Sequence, residues 1–141
     1  FALASEAGDF YEIKNVLTSV QKNLFVMGSN IACEEAKREE YKLPNLDQGS
    51  VDTLEKGIDL LDSRLPTLKS FILPSGSEFA CRLHLCRTYA RNLERKAADF
   101  DKNYEPIPDK YLIFLNRLSD FLFVAARYVN ADKQVQEVNW P

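Results

Sequence analysis

Apolar residues recur at alternating steps of three and four along most of the chain, which is the spacing of the buried face of a packed helix. Over residues 10–31 this spacing predicts a long helix, with Gly8 ending a short first helix and Asp9 capping the long one. After Ala32 the periodicity ends, and the charged residues 34–40 are predicted to form a solvated loop or a frayed helix end. The predicted inward positions of the long helix are Phe10, Ile13, Leu17, Val20, Leu24, Met27 and Ile31.

Three further helices are predicted in the second half of the chain. One spans residues 51–65 with Ser50 as its N-cap, one runs from Glu78 to near Phe100 with Ser77 as its N-cap, and the last begins at Pro108. No alternation typical of a β-strand appears, so the predicted fold is an all-α antiparallel bundle of four full or partial helices. The predicted inward positions of these helices are Val51, Leu54, Ile58, Leu61 and Leu65, then Phe79, Leu83, Cys86, Ala90, Leu93 and Ala97, then Leu112, Leu115, Leu118, Leu122, Ala125 and Val129.

Composition and charge narrow the classes of function. The 141 residues are 45% hydrophobic and 28% charged, which predicts one soluble helical-bundle domain over residues 1–141. A net charge of -3 and the lack of a long apolar run favour neither nucleic acid nor a membrane as partner. Three cysteines without a CxxC pair are expected to be reduced thiols in a cytoplasmic protein. Because the chain opens on Phe1 without a methionine or a capping residue, we expect its first helix to start upstream.

The helix predicted from Glu78 carries a basic stripe. Arg87, Arg91, Glu94 and Arg95 recur at steps of three and four or at adjacent positions, so their side chains share one side of the helix. Such a stripe is suited to an extended anion such as a polyphosphate, because each guanidinium offers several donors. The alternative interpretation is a solvated face with ion pairs between neighbouring turns.

The last helix carries a complementary polar set. Asn116 and Asp120 lie one turn apart, and Arg127 follows two turns later. Asp120 is placed to orient an arginine of the neighbouring helix, and Asn116 to bind a ribose or adenine edge. The alternative is a polar clamp that fixes the register of two helices.

Two other features bear on chemistry. His84 lies one turn from Cys81, but no third ligand is evident, so a packed core histidine beside buried thiols is favoured over a nucleophile–base pair, and no metal site is predicted. The apolar segment Phe71-Ile72-Leu73 runs into the turn formers Pro74-Ser75-Gly76, and an apolar connection is expected to be buried or to contact a ligand.

Three segments, taken in order, resemble the PduO-type ATP:cob(I)alamin adenosyltransferases. They are Phe71-Ile72-Leu73-Pro74-Ser75-Gly76, then Arg87-x-x-x-Arg91-x-x-Glu94-Arg95, and then Asn116-Arg117-Leu118-Ser119-Asp120 with Ala126-Arg127 following. The resemblance implies a ferritin-like, antiparallel five-helix bundle whose first helix is truncated in this chain, assembled as a homotrimer with sites between subunits. It implies transfer of the 5′-deoxyadenosyl group of ATP to the cobalt of cob(I)alamin, with Mg2+ and release of triphosphate.

The same resemblance assigns roles to individual residues. Arg91 corresponds to the arginine that stabilises the triphosphate, and Arg87 to one that pairs across the subunit interface with an aspartate of the N-terminal region. Glu94 and Asp120 correspond to positioning carboxylates, and Asn116 to an asparagine that contacts the nucleotide. Arg87, Arg91, Glu94 and Asn116 are therefore the expected ATP-binding residues, with Arg87 and Arg91 expected to be catalytic.

Phe71 resembles the aromatic residue that faces the corrin ring and keeps its lower ligand off the cobalt. Two departures from the family pattern are present. Asn92 stands where the family has a second arginine, and the N-terminal loop that wraps the ATP phosphates lies outside this chain. Residues 1–141 alone are therefore expected to hold half a nucleotide site and to bind ATP poorly.

Two alternatives to the enzyme remain at this point. One is a non-catalytic bundle that binds a corrinoid or a nucleotide as a carrier or sensor, with Asn92 marking loss of activity. The other is an interaction module whose heptad over residues 10–31 packs on partner helices. The enzyme itself would take ATP and cobalamin as ligands, and a cob(II)alamin reductase is a conceivable further partner.

Overall fold

The computed structural model describes residues 2–47 and 49–141, so Phe1 lies outside the described residues. Within them the helices are α1 (Ala2–Glu6), α2 (Tyr11–Ile31), α3 (Glu35–Arg38), α4 (Gly49–Asp62), α5 (Glu78–Asn103) and α6 (Asp109–Asp132). Five of these form the predicted all-α bundle, while α3 is a single exposed turn where the sequence predicts a loop or a frayed end. None of the described helices is long and apolar enough to cross a membrane.

Helix α6 is the central helix of the bundle. It packs on α5, α4 and α2, and it is joined to α5 by a connection short enough to make the two helices antiparallel neighbours. Its sequence explains this position, because apolar residues cover most of its circumference rather than one stripe. Its buried apolar residues are Tyr111, Phe114, Leu115, Leu118, Phe121, Leu122, Val124, Ala125, Ala126 and Val129.

The buried faces largely follow the predicted spacing. Every predicted inward residue of α2 is buried or packed against the core, as are those of α6 and those of the helix predicted over 51–65. That helix, α4, ends at Asp62 rather than at residue 65, and Leu65 packs on the core from the connection that follows. Leu93 is the exception on α5: it is 45% exposed, because it lies on the rim of an open groove between α2 and α5. The periodicity also misses Val16 and Val26, which widen the buried face of α2 beyond the heptad seam.

Two predicted helix caps are wrong and one is confirmed. Phe10, not Asp9, is the N-cap residue of α2 and has no side-chain cap hydrogen bond. Helix α4 begins before Ser50, whose backbone N–H instead donates to Asp47 Oδ1 at 2.9 Å. Ser77 caps α5 as predicted, accepting from the Ala80 N–H. Helix α5 continues to residue 103 rather than ending near residue 100, because polar side chains can continue a helix that is exposed to solvent.

The connection from α4 to α5 pairs with the C-terminal tail. The Leu73 N–H donates to the Val138 carbonyl at 2.8 Å, and the Trp140 N–H donates to the Phe71 carbonyl at 2.7 Å. An antiparallel bridge joins Ile72 and Asn139 between these bonds. We call this paired segment, residues 71–73 with 138–140, the apolar ribbon; it is the one β-type pairing among the described residues.

Candidate functional site

The arginine face is formed by Arg87, Arg91 and Glu94 on α5 together with Asn116 on α6. Arg91 Nη1 donates to Glu94 Oε2 at 2.5 Å, and Asn116 Nδ2 donates to Glu94 Oε1 at 2.9 Å. Glu94 is largely buried by these neighbours, while Arg91 keeps about half of its side chain in solvent. The carboxylate of Glu94 thus uses both oxygens to fix one guanidinium from its own helix and one amide from the next.

The polar chain continues along α6. Arg117 Nη2 donates to Asn116 Oδ1 at 2.7 Å and lies 2.9 Å from Asp120 Oδ2. Asp120 therefore pairs with an arginine of its own helix, and the expectation that it orients an arginine of α5 is wrong for this structure. The spacing explains this pairing, because Arg117 lies three residues before Asp120 on the same helix and its guanidinium is within reach of the carboxylate. Asn116 makes the interhelical contact instead.

Arg87 occupies the same side of α5 one turn before Arg91. Its guanidinium carbon lies 5.3 Å from the centroid of the Phe123 ring, the geometry of a cation–π contact. The ring of His84 lies 6.2 Å from Phe123 by centroids and is almost fully buried. Burial and, secondarily, the positive charge of Arg87 lower the pKa of His84, whereas Glu137 opposes this. His84 is therefore neutral near pH 7.

The histidine and the cysteines differ in burial. His84 is a packed core residue as predicted, and its Nδ1 has no hydrogen-bond partner among the described residues. Cys81 is exposed, so the prediction that it is a buried thiol is wrong. All three cysteines are free, and the described residues contain no group of three or more metal-ligating side chains close enough to hold an ion.

The apolar ribbon presents a second surface. In an antiparallel pair, directly opposed residues point to the same face and alternate residues share it, so Phe71 opposes Trp140 and Leu73 opposes Val138 on one side. All four side chains are exposed, and Phe71 is the most exposed at 82%. Phe71 and Leu73 belong to the apolar segment that the sequence analysis singled out. Val138 and Trp140 were not assigned to this surface, because nothing local in the tail shows which segment it pairs with.

The ribbon is attached to α6 near its C-terminal end. Asn130 Oδ1 accepts from the Ser77 N–H at 3.0 Å, and Asn130 Nδ2 donates to the Ser75 carbonyl at 3.0 Å. Gly76 lies between them with a φ of +119°, and a Cβ there would lie 2.2 Å from Asn130 Oδ1. A glycine is needed at this position, because the loop backbone lies directly on the asparagine amide. Sequence reasoning missed Asn130, although its place after the Ala126-Arg127 motif was a signal.

The arginine face and the apolar ribbon are connected through α6. Phe123 of α6 contacts Arg87 of the arginine face, and Arg127, one turn further along α6, binds Glu137, the residue just before the ribbon. Arg91 lies one turn beyond Arg87 along α5, about 6 Å by helix geometry. The arrangement offers donors for an extended anion beside an exposed apolar surface.

Comparison with known proteins shows the family to which the chain belongs. Residues 1–129 match the family model described as "Cobalamin adenosyltransferase". The corrinoid adenosyltransferase of Bacillus subtilis (strain 168) is 40% identical over 141 residues, covering 99% of this chain and 70% of the relative. The human corrinoid adenosyltransferase MMAB is 35% identical over 139 residues, covering 97% of this chain and 55% of the relative.

A solved structure gives the same result. A variant PduO-type ATP:corrinoid adenosyltransferase from Lactobacillus reuteri, complexed with cobalamin and ATP, superposes with a TM-score of 0.82 at 32% identity, covering 99% of this chain and 80% of that one. The chain therefore belongs to the cobalamin adenosyltransferase family, a family of transferases. The predicted family and the five-helix bundle are confirmed. This chain spans 55% and 70% of the lengths of the human and Bacillus relatives.

Proposed function

We propose that this chain contributes part of an ATP:cob(I)alamin adenosyltransferase site. In the reaction the cobalt of the cob(I)alamin substrate attacks C5′ of ATP with its electron pair. The Co–C5′ bond forms while the C5′–O bond breaks, and that bond's electron pair leaves with triphosphate. Because the substrate metal is the nucleophile, the protein needs no nucleophile or strong base of its own. Its task is to align two substrates and stabilise negative charge.

The observation that carries this proposal is the Arg91–Glu94–Asn116 contact. Arg91 is held at 2.5 Å by Glu94, which in turn is held at 2.9 Å by Asn116. An arginine fixed in this way stabilises growing charge without reorganising during the reaction. In this proposal Arg91 binds the leaving triphosphate, Glu94 orients Arg91, and Asn116 contacts the nucleotide.

The remaining roles follow from position. Arg87 is oriented by the Phe123 ring, which leaves its donors available for ATP or for a carboxylate of a neighbouring subunit. Asp120 holds Arg117 beside Asn116, so it acts as a positioning carboxylate through Arg117. Phe71 is the corrinoid-facing residue, because its exposed ring belongs to an apolar surface beside the arginine face.

The proposal extends to ions, partners and location. Mg2+ enters with the ATP phosphates, since this ion is commonly bound through substrate oxygens and few carboxylates. The chain acts as a single helical-bundle domain within a homotrimer that shares its sites between subunits. A cob(II)alamin reductase supplies the reduced substrate, neither nucleic acid nor a membrane takes part, and the free cysteines favour the cytoplasm.

The experiment is an anaerobic optical assay of the full-length protein with chemically reduced cob(I)alamin, ATP and magnesium. Arg91→Ala is expected to lower kcat by about 10² to 10³, the usual cost of losing one preorganised donor. Lys102→Ala is the matched control, because Lys102 is a cationic residue of the same helix, is exposed, makes no salt bridge among the described residues and lies outside the basic stripe. Adenosylcobalamin formation that is equal in both variants removes Arg91 from the triphosphate. A wild-type protein that binds corrinoid without turnover favours a carrier or sensor.

A further inference from the structure

Arg127 on α6 is a buried charge with a specific set of partners. Its side chain is only 4% exposed, yet it lies outside the arginine face. Its Nε donates to Glu137 Oε1 at 3.0 Å, and its Nη2 donates to the Pro66 carbonyl at 3.0 Å. Asp62 Oδ1 is 4.0 Å from its Nη1. One guanidinium therefore connects α6, the end of α4 with the residues after it, and the C-terminal tail.

Because Arg127 is buried, its charge requires a specific partner. A guanidinium that is removed from water needs a hydrogen-bonded carboxylate, since an unpaired buried charge costs several kcal/mol. Glu137 is the carboxylate that meets it at hydrogen-bond distance, so the tail is fixed at that residue. The next residue, Val138, is the first of the apolar ribbon and accepts the Leu73 N–H.

The ribbon itself is too short to set its own register. It has two backbone hydrogen bonds between segments of three residues, and an isolated pairing of that size is marginal in water. A slip of one residue would turn every side chain of the tail to the opposite face. The Phe71 strand is anchored by Asn130, and the tail strand is anchored by Arg127, three residues earlier on the same helix.

We propose that Arg127, acting through Glu137, is a positioning residue that fixes the register of the apolar ribbon and thereby the place of Phe71 at the corrinoid. Through the Trp140 N–H, the tail holds the backbone carbonyl of Phe71 itself. Loss of the Arg127–Glu137 contact frees the tail, and Phe71 then lacks its cross-strand support. This inference rests on the proposed function, since it concerns the corrinoid side of that site.

The test uses Glu137→Ala in the full-length protein, because Glu137 follows the last helix and the substitution replaces no residue of the hydrophobic core. Glu105→Ala is the matched control. It breaks the 2.7 Å contact with Arg38, another partly buried ion pair, near the opposite end of α6. Glu137→Gln is the conservative variant, since it keeps an oxygen that accepts from Arg127 Nε.

Two readouts separate positioning from general loosening. Trp140 is the single tryptophan of the 141 residues, so quenching of its fluorescence, referenced to Trp140→Phe, measures whether the tail is docked. In Glu137→Ala we expect quenching to rise and KM for cob(I)alamin to increase about tenfold, with KM for ATP changed by less than about twofold. Glu137→Gln is expected to recover at least half of both changes, and Glu105→Ala to show neither.

Unchanged quenching in Glu137→Ala overturns the inference, as does an equal rise in KM for both substrates or the same effect in Glu105→Ala. Its failure is distinguishable from failure of the proposed function. If the wild-type protein makes no adenosylcobalamin, the proposed function fails, and with it the role at the corrinoid. If the wild type is active and Glu137→Ala keeps its KM for cob(I)alamin, only the positioning role fails.

Discussion

The arginine face and the apolar ribbon are neighbouring surfaces built in different ways. The arginine face consists of side chains on two long helices, where Glu94 receives hydrogen bonds from Arg91 and Asn116. The ribbon consists of backbone pairing between a loop and the tail, segments separated by more than 60 residues in sequence. In the first case two rigid helices fix the positions of the charged side chains. In the second case Asn130 and Arg127 of α6 fix the position of the apolar surface.

Because the two surfaces are built differently, we expect different mutations to disrupt each of them. The arginine face is expected to tolerate changes in the loop and tail, because its partners lie within α5 and α6. The ribbon is expected to tolerate changes of charge on α5, because Arg127 and Asn130 hold it from the far end of α6. Mutations can therefore test whether the two surfaces are independent.

Of the substitutions compared below, Gly76→Ala is expected to have the largest effect, and it acts on the loop that carries the ribbon. A Cβ there would lie 2.2 Å from Asn130 Oδ1, at a φ of +119° that L-residues rarely adopt, so the loop must move. Urea unfolding is expected to show a loss of about 2 to 3 kcal/mol. Trp140 quenching should rise while KM for ATP stays near the wild-type value.

Gly28→Ala is the matched control for that substitution. Gly28 lies in α2 with nothing within 4 Å of the position of an added Cβ. Alanine there is expected to leave stability unchanged or to raise it by up to about 1 kcal/mol. Equal losses in the two variants would show that the contact with Asn130 carries no special strain.

A smaller effect is expected from Glu94→Gln, which changes the arginine face and not the ribbon. Glutamine keeps an oxygen for Asn116 but removes the charge that holds Arg91, so kcat is expected to fall about tenfold, or about 1.4 kcal/mol of barrier. The assay is steady-state adenosylcobalamin formation, with Glu78→Gln as an exposed control on the same helix. A change in Trp140 quenching would mean that the two surfaces are coupled.

The smallest effect concerns His84, whose buried ring packs near Phe123 of α6. Burial lowers its pKa, so below the ordinary value of 6.5 the unfolded chain takes up a proton more readily than the folded one. Stability is therefore complete above that pH and declines as pH falls toward the depressed folded pKa. The Tm of the wild type between pH 7.5 and 5.5 should fall more than that of His84→Gln. Parallel Tm curves would contradict this assignment.

The helical content and the arginine face could be predicted because their signals are local. The seven predicted inward positions of α2 follow from spacing alone, although Val16 and Val26 are buried as well, and the arginine stripe of α5 follows from residues 87–95 of one helix. The wrong details depend on competition between neighbours. Asp120 pairs with Arg117 of its own helix rather than with an arginine of α5, and Leu93 faces a groove rather than the core.

By itself the sequence determined the bundle, the family and the set of charged residues on α5, because helical periodicity and ordered motifs survive without knowledge of distant contacts. Tertiary structure alone decided that Glu94 joins Arg91 to Asn116, that the tail pairs with residues 71–73, and that Arg127 and Asn130 anchor that pair. The physical reason is that hydrogen-bond partners far apart in sequence are selected by burial and geometry, which exist only once the helices have packed.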